Sequence, residues 1–327
     1  MQHPCRLSER YREQARFHKA HEQEVNMSVH ELKRPPIADT TEWRVNVPQA
    51  LEQLRHWAQV RPLQPALRHK RHGQWFVWRW IDVLRDVERL ADGLRQQGFD
   101  EDSRLAVSGA FEPNLLLLAL AAQQVGGQLL AVDDTLDAPA LHNVLWRSAP
   151  THAFVPGRQA QQLWLNQGQS LLDFAELLGP TEPPQRLRLG LVGAQLWSEE
   201  GTQWQDGLGV LFEQWLTRGQ SLAFPESPGS ASRDRREVAP SGLLLSAERL
   251  QVLANEIDSR LAPLGTWRRR LCDWAIAHPE KALQRLIKNR VRRLLGFQNL
   301  HFIWQATRTA QAQPEPVWLA EFKRDIA

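Results

Sequence analysis

Two pairs of adjacent carboxylates, Asp133–Asp134 and Glu199–Glu200, are the first candidates for acid–base chemistry in this sequence. A shared-proton dyad needs two carboxylates that face each other, and adjacent residues on a helix or strand point in different directions. Both pairs also fall at predicted loop positions. We therefore expect both pairs to be solvated loop charges without a catalytic role.

Metal, thiol and hydroxyl chemistry find little support in the residue types. None of the eleven histidines has a carboxylate or cysteine at ligand spacing on a predicted element, so we expect no metal site. Cys5 and Cys272 are too few for a disulfide framework or a Cys-rich zinc site, and they favour a reducing compartment. A Gly-x-Ser-x-Gly elbow does not occur, and Tyr11 is the only tyrosine, which argues against a serine hydrolase and against tyrosine chemistry.

Positive charge is concentrated in one segment. Between Thr266 and Gly296 there are nine basic and two acidic residues, a net charge of +7 in a chain of net +3. A predicted helix, Pro279–Leu295, has one apolar face with basic flanks, as amphipathic helices at membrane surfaces do. Its candidate contacts to a membrane or another anion are Arg285, Lys288, Arg292 and Arg293. The alternative is a surface helix that packs on its own domain. No nucleic-acid partner is expected, because no helix-turn-helix, zinc-finger or aromatic RNA motif lies nearby.

Helices and strands are predicted to alternate along residues 47–155, which is typical of an α/β fold. Apolar positions recur at three and four residues in the helices and at two in the strand pair around His72–Gly73. The predicted helices are Val47–Ala58, Ile81–Gln97, Pro113–Val125 and Pro139–Trp146. The predicted strands are Ala66–Arg68, Trp75–Trp80, Arg104–Ser108, Leu129–Val132 and Ala153–Val155.

The pattern resumes after a less periodic stretch, 156–186, in which Pro180, Pro183 and Pro184 mark a loop. Strands are predicted at Leu187–Ala194, Ser221–Phe224 and Leu243–Leu245, with a turn at Pro225–Gly229. Helices are predicted at Gly207–Arg218, Ala247–Leu261, Trp267–Ala277 and Pro279–Leu295.

Five segments follow from these patterns. They are a polar N-terminal extension (1–40), a first α/β subdomain (41–160), a Gln/Pro-rich connection (161–186), a second α/β part with basic helices (187–305) and a polar tail (306–327). With 42% hydrophobic residues, a packed core is expected. No run of eighteen apolar residues occurs and the N-terminus lacks a signal-peptide pattern, which predicts a cytoplasmic protein. Peripheral contact at the inner face of a membrane is the alternative.

Several stretches carry a resemblance to a known family. They include PALRHKRHGQWFVWRW, RLAVSGAFEPNLLLLALAAQQVGGQLLAVDDTL, REVAPSGLLLSAERLQVLANEI and WRRRLCDWAIAH. In this order they resemble the AMP-forming acyl-CoA synthetases of the adenylate-forming superfamily, and WRRRLCDWA beside a basic helix resembles the long-chain fatty-acid branch. The resemblance implies an α/β fold, a truncated large domain with mixed sheets flanked by helices. It also implies that Trp197 lies where family members often line the acyl pocket, and the alternative is that Trp197 simply packs in the core.

The departures from that family affect chemistry. Family members carry a Ser/Thr/Gly-rich phosphate loop ending in lysine after the strand that resembles Ala153–Val155, and glycine backbone N–H groups and lysine there hold ATP phosphates. The interval Pro156–Leu187 has no lysine and no Gly-x-x-Gly spacing. The later adenine-binding, ribose-binding and lid elements find no match either. No catalytic, cofactor-binding or metal residue is therefore assigned, although ATP, Mg²⁺ and CoA are the family's cofactors.

These observations predict a degenerate relative of long-chain fatty acid–CoA ligases without adenylation activity. Its expected partner is an acyl ligand or a protein such as a complete synthetase. Two alternatives stay open: an active fatty acid–CoA ligase completed by another chain, and a peripheral membrane-binding module that uses the basic helix.

Overall fold

The computed structural model describes residues 49–181, 183–186, 195–260, 265–267, 270, 274, 289–290 and 292–304, all within one compact unit, Thr41–Ala327. The predictions for segment 1–40, for the strand Leu187–Ala194, for most of the two basic helices and for the tail 306–327 lie outside the described residues.

Every helix and strand predicted between 47 and 155 is present, with differences of a few residues at the ends. The helices are α1 (Ala50–Val60), α2 (Trp80–Gln96), α3 (Pro113–Val125) and α4 (Ala138–Ser148). The strands are β1 (Pro65–Arg71), β2 (Gln74–Arg79), β3 (Arg104–Val107), β4 (Gln128–Ala131) and β5 (His152–Phe154). The α/β prediction is confirmed.

The second half contains the elements predicted at Gly207–Arg218, Ala247–Leu261, Ser221–Phe224 and Leu243–Leu245, together with others that the sequence pattern did not indicate. Its helices are α5 (Arg158–Asn166), α6 (Phe174–Leu178), α7 (Gly207–Arg218), α8 (Ala231–Val238) and α9 (Ala247–Arg260), and its strands are β6 (Gln185–Arg186), β7 (Gln195–Trp197), β8 (Ser221–Phe224), β9 (Gly242–Leu244) and β10 (Phe302–Trp304). The stretch 156–186 therefore contains two short helices. The turn predicted at Pro225–Gly229 runs instead into a 3₁₀ turn, Pro228–Ser230, and then α8, because Ser227 caps the new helix with Pro228 at its first position.

The strands form two sheets. The smaller has the order β4-β3-β5 and is entirely parallel. The larger has the order β10-β9-β7-β8-β1-β2-β6, in which β10, β9, β7, β8 and β1 run parallel while β2 is antiparallel to both β1 and β6. His72 and Gly73, both with positive φ, form the two-residue hairpin between β1 and β2.

Helix α3 lies in the principal apolar cluster. Residues Leu115 to Ala122 are all buried, and the same cluster includes Leu105 of β3 together with Leu196 and Leu222 of the large sheet. A helix that is apolar on every side must be covered on every side. Burial between elements of both sheets meets that requirement and fixes the loop that precedes α3.

The opposite face of the large sheet carries a second apolar cluster. Trp197 on β7 and Leu243 on β9 pack there with Val238 of α8 and with Leu253 and Ile257 of α9. This packing places α8 and α9 beside the loops that follow the parallel strands. Among the described residues, no helix combines the length and the apolar character needed to cross a bilayer.

Candidate functional site

The candidate site is the place where the carboxyl ends of parallel strands from the two sheets meet. In open α/β sheets, ligands bind at the carboxyl ends of the strands. The loop after β3 and the loop after β7 (198–206) reach each other at this place through an antiparallel bridge between Ala110 and Gly201. We call this contact the inter-sheet seal, and define it by residues 109–111 and 200–202.

Backbone hydrogen bonds hold the inter-sheet seal. Thr202 N donates to Gly109 O at 2.9 Å, and Gly109 N donates to Thr202 Oγ1 at 2.9 Å. Phe111 N donates to Glu200 O at 2.8 Å. The two loops therefore satisfy each other's polar groups directly, at the edge where a bound ligand would otherwise receive those hydrogen bonds.

Glycine is required at the centre of this contact. A Cβ at Gly201 would lie 2.8 Å from Gly109 O and 3.1 Å from the Cα of Ala110, both backbone atoms. A side chain at position 201 would not fit between the two loops of the seal unless one of the loops moved. The close approach leaves no room for another group between Gly201 and Gly109.

The prediction that the Glu199–Glu200 pair is solvated is wrong, because Glu200 is buried. Only 3% of Glu200 is exposed, and its carboxylate accepts from Ser246 N at 2.7 Å and from Gln203 Nε2 at 3.1 Å. Burial raises the pKa of Glu200, although the hydrogen bonds from Ser246 oppose that shift. This carboxylate connects the seal to Ser246, the residue immediately before α9.

Glu199, the other member of the pair, is a half-buried residue whose side chain is only 7% exposed. Arg235 of α8 is 1% exposed, and its guanidinium lies 3.2 Å from Glu199 and 3.0 Å from Glu256 of α9. The indole N–H of Trp197 donates to Glu199 at 3.2 Å. The prediction failed because the partner of Glu199 is 36 positions away, which no local pattern reveals. The Asp133–Asp134 pair does lie in a loop, with Asp134 exposed, as predicted.

A second buried cation, Lys70 of β1, lies at the same edge of the large sheet. Its Nζ is 2.9 Å from Asp234 and 2.6 Å from Glu237, both on α8. Burial lowers the pKa of Lys70, but the hydrogen bonds to Glu237 and Asp234 outweigh it, so the pKa is raised. Burial alone would raise the pKa of Asp234, but the hydrogen bonds from Ser230 and Lys70 outweigh burial, so the pKa of Asp234 is lowered.

A third group of titratable residues lies where β1 ends beside the start of α3. His69 is buried, Arg71 Nε donates to its Nδ1 at 3.0 Å, and Glu112 lies 4.0 Å from its Nε2. Burial, with the charge of Arg71, lowers the pKa of His69 to about 3. Burial also raises the pKa of Glu112. His69 is therefore neutral near pH 7, with Nδ1 as an acceptor.

The ion pairs at this edge stabilise the fold and leave their cations less available to bind ATP. Lys70 and Arg235, two of the buried cations of the described large sheet and its helices, each face two carboxylates of this same chain. A polyphosphate site needs cations and N–H groups that are not already paired. Within the described residues, no group of three or more His, Cys, Asp or Glu side chains is arranged to hold a metal ion. Within the described residues, Lys70 and Arg235 could therefore contact a polyphosphate only if these ion pairs opened.

The residues predicted to form a site do not come together in one place. Trp197 is fully buried in β7 and packs with Ala223 and Leu243. Arg292 donates to Phe297 O at 3.0 Å and to Leu300 O at 2.8 Å, while Arg293 is exposed. Arg285 and Lys288 lie outside the described residues. The acyl-pocket and anion-contact roles stay predictions.

Comparison with known proteins defines the class of fold. The architecture matches the large domain of adenylate-forming enzymes. The luciferase-like enzyme of the mealworm Zophobas morio aligns with a TM-score of 0.52 at 12% identity over 80% of this chain and 74% of that one. Unliganded O-succinylbenzoate coenzyme A synthetase from Bacillus subtilis aligns with a TM-score of 0.51 at 13% identity over 67% of this chain and 52% of that one. A mutant form of coronafacic acid ligase from Pectobacterium brasiliense gives 0.52 at 12% identity over 65% and 53%.

The sequence comparison is consistent with the fold. Residues 54–202 match the family described as AMP-binding enzyme, and the match ends inside the inter-sheet seal. A search of curated proteins finds no significant match. The chain spans about half the length of the two ligases above. At these identities the structural likeness establishes the fold, and it leaves the reaction open.

Proposed function

We propose that this chain is a non-catalytic relative of long-chain fatty acid–CoA ligases, which acts by binding an acyl ligand or a partner protein and does not form adenylates. The long-chain branch enters through the resemblance of WRRRLCDWA and the basic helix after it. The family match of residues 54–202 and the shared fold support the wider relationship.

The observation that carries the proposal is the inter-sheet seal. The loops after β3 and β7 bond to each other, so the carboxyl-end edge presents a completed backbone contact. Adenylation needs hydrogen-bond donors that point at the triphosphate of ATP and at the negative charge that develops when the substrate carboxylate attacks it. Here the donors Thr202 N and Gly109 N are already satisfied.

The buried ion pairs add an energetic barrier. A triphosphate that recruited Arg235 or Lys70 would have to displace carboxylates of this chain. Separating one partner from a buried pair costs about 3–5 kcal/mol. Binding of ATP would therefore begin with a penalty comparable to the free energy of a millimolar interaction.

The test is pyrophosphate release from ATP, Mg²⁺, palmitate and the full chain, with a complete long-chain acyl-CoA synthetase as the positive control. We expect no release above the protein-free rate. The matched variant Thr202→Val removes the hydroxyl that accepts the hydrogen bond from Gly109 N. Comparing it with the wild type distinguishes activity of this chain from activity of a contaminating enzyme. Release that changes with this variant would belong to the chain and would refute the proposal, whereas identical release from both proteins would come from a contaminating synthetase.

The second candidate is a ligase completed by another chain, and one observation favours it. Strand β10 is at the end of the strand order of the large sheet, and its one described pairing is with β9. An edge strand can accept a further strand from another polypeptide. Pyrophosphate release that appears only when this chain is co-expressed with a chain carrying the remaining synthetase elements would support this candidate, and no release from the mixture would exclude it.

A further inference from the structure

Arg68 of β1 is a buried cation without a partner. The residue is 2% exposed, and its Nε and Nη1 atoms find no hydrogen-bond acceptor. In the part of the chain that the structure describes, no carboxylate forms an ion pair with its guanidinium. A buried charge that is neither paired nor hydrogen-bonded is strongly unfavourable, so a group of this kind calls for a physical explanation.

Arg68 lies on the face of the large sheet that forms the second apolar cluster. Leu67 packs with Leu222 in the principal cluster, and side chains alternate along a strand, so Arg68 is on the opposite face. Its register partners in β2 and β8 are Val77 and Ala223. The residues beside Arg68 in the sheet are therefore apolar and cannot accept its hydrogen bonds.

Other polar groups on this face leave Arg68 unpaired. Ser221 Oγ and Gln195 Oε1 are buried without a partner, side by side at the start of β8 and β7, and Arg68 bonds to neither of them. Lys70 and Arg235 each bind two carboxylates, as described above. Among the described residues, the chain thus supplies no acceptor for Arg68.

An organic carboxylate has the chemistry that this position lacks. Guanidinium groups pair with carboxylates through charge-assisted hydrogen bonds, which are stronger than hydrogen bonds between neutral groups. Phosphate would satisfy the same donors, but it has no apolar part. Because the surrounding residues are apolar, an acid with a hydrocarbon chain gains additional free energy by burying that chain.

We infer that Arg68 binds the carboxylate of an organic acid whose apolar part packs against the second apolar cluster of the large sheet. The inference rests on the proposed function in one respect, the acyl ligand, and it gives that ligand a charged end and a position. Since only 2% of Arg68 is exposed, the acid reaches it through a local opening of the fold. Association should therefore be slower than diffusion allows.

The test is isothermal titration calorimetry of the full chain with hexanoate, and with hexanamide and inorganic phosphate at the same ionic strength. We expect saturable binding of hexanoate. Hexanamide and phosphate should bind at least about tenfold more weakly, because the first lacks the charge and the second lacks the apolar chain. Arg68→Met should weaken hexanoate binding about 100-fold. Arg68→Lys should weaken it about tenfold, since lysine keeps the charge but loses the planar set of donors.

Arg55→Met is the matched control, because it removes the same charge from an exposed position on α1. This variant should bind hexanoate like the wild type, and circular dichroism should show every variant folded. No hexanoate binding by the wild type, equal losses in Arg68→Met and Arg55→Met, or equal binding of phosphate and hexanoate would overturn the inference. The titrations contain no ATP, so failure here would leave the pyrophosphate test of the proposed function unaffected.

Discussion

Helices α3 and α8 both present a buried face, and the two faces are opposite in chemistry. From Leu115 to Ala122, α3 buries only leucine and alanine. The buried face of α8 consists of Ala231, Asp234, Arg235 and Val238, of which two are charged. The spacing of that face is the usual helical one, so the difference lies only in residue type.

The two helices are stabilised in different ways. Burial of α3 removes apolar surface from water and needs no particular partner. Burial of α8 requires that Asp234 meet Lys70 and that Arg235 meet Glu199, since an unpaired buried charge is strongly unfavourable. We conclude that α8 can pack only where its charged residues meet their partners at the edge of the large sheet. The same ion pairs use side chains that line the candidate site.

The largest expected effect is that of Asp234→Ala on α8. The substitution leaves Lys70 with one carboxylate and removes the acceptor for Ser230 Oγ and Glu226 N, so we expect a loss of about 4 kcal/mol in the free energy of unfolding. Urea denaturation measures this loss. The control Asp92→Ala breaks an exposed pair with Arg95 and should change stability by less than about 0.5 kcal/mol. Equal effects of the two variants would show that α8 is not held by its charges.

Leu118→Ala tests the apolar side of the comparison. Leu118 is fully buried in α3, and we expect a loss of about 3 kcal/mol from lost transfer free energy and the cavity left behind. The control is Leu165→Ala on α5, where the leucine is half exposed and should contribute little. A loss below that of Leu165→Ala would mean that α3 is not packed as described.

Arg68→Met sharpens the comparison, because Arg68 is a buried charge whose Nε and Nη1 find no hydrogen-bond acceptor. Burial lowers the pKa of Arg68 to about 10, which means that the folded state disfavours its charge. We expect Arg68→Met to stabilise the protein by about 2 kcal/mol. Lys70→Met, two residues along the same strand, should destabilise it, because Asp234 would lose its cation. Thermal unfolding compares the two, and the same sign for both would contradict the pairing.

His69 gives an effect on stability that is smallest near pH 7 and grows as the pH falls. Its folded pKa, about 3, is below the ordinary value of 6.5, so the stability present above pH 6.5 is lost as pH falls towards 3. The expected slope is about 1 kcal/mol per pH unit across that window. The charges that act on His69 are Arg71, which lowers its pKa, and Asp234, which raises it.

Comparison with His69→Gln isolates this slope. The raised pKa of Glu112 and Glu200 works in the opposite direction, because those carboxylates protonate more readily in the folded state. The difference between wild type and variant in urea denaturation at several pH values cancels their contribution. A difference that does not change between pH 6.5 and 4 would show that His69 titrates normally in the folded protein.

Much of the fold follows from local pattern. The predicted bounds of α3, α7 and β8 agree with the structure residue for residue, since each is an apolar run that ends at or near a glycine or proline. The short helices α5 and α6 were missed because glutamines and prolines hide their apolar face, and α8 was missed because its buried face is half charged. A signal for α8 was nevertheless present in Ser227–Pro228, a typical helix start.

The candidate site was much less accessible to sequence reasoning. Glu199 and Glu200 were interpreted as solvated because their partners, Arg235 and Ser246, lie 36 and 46 positions further along the chain. The seal between Gly109 and Thr202 joins residues 93 positions apart. Contacts over such distances exist only once the two sheets have assembled, and no periodicity in a single sequence encodes them.

The most direct test of the central claim, that the inter-sheet seal excludes nucleotide, is isothermal titration calorimetry of the full chain with ATP and Mg²⁺. A complete acyl-CoA synthetase serves as the positive control. The account predicts no saturable heat from this chain up to millimolar ATP. Saturable binding in the micromolar range, weakened by Arg235→Met or Lys70→Met, would contradict it.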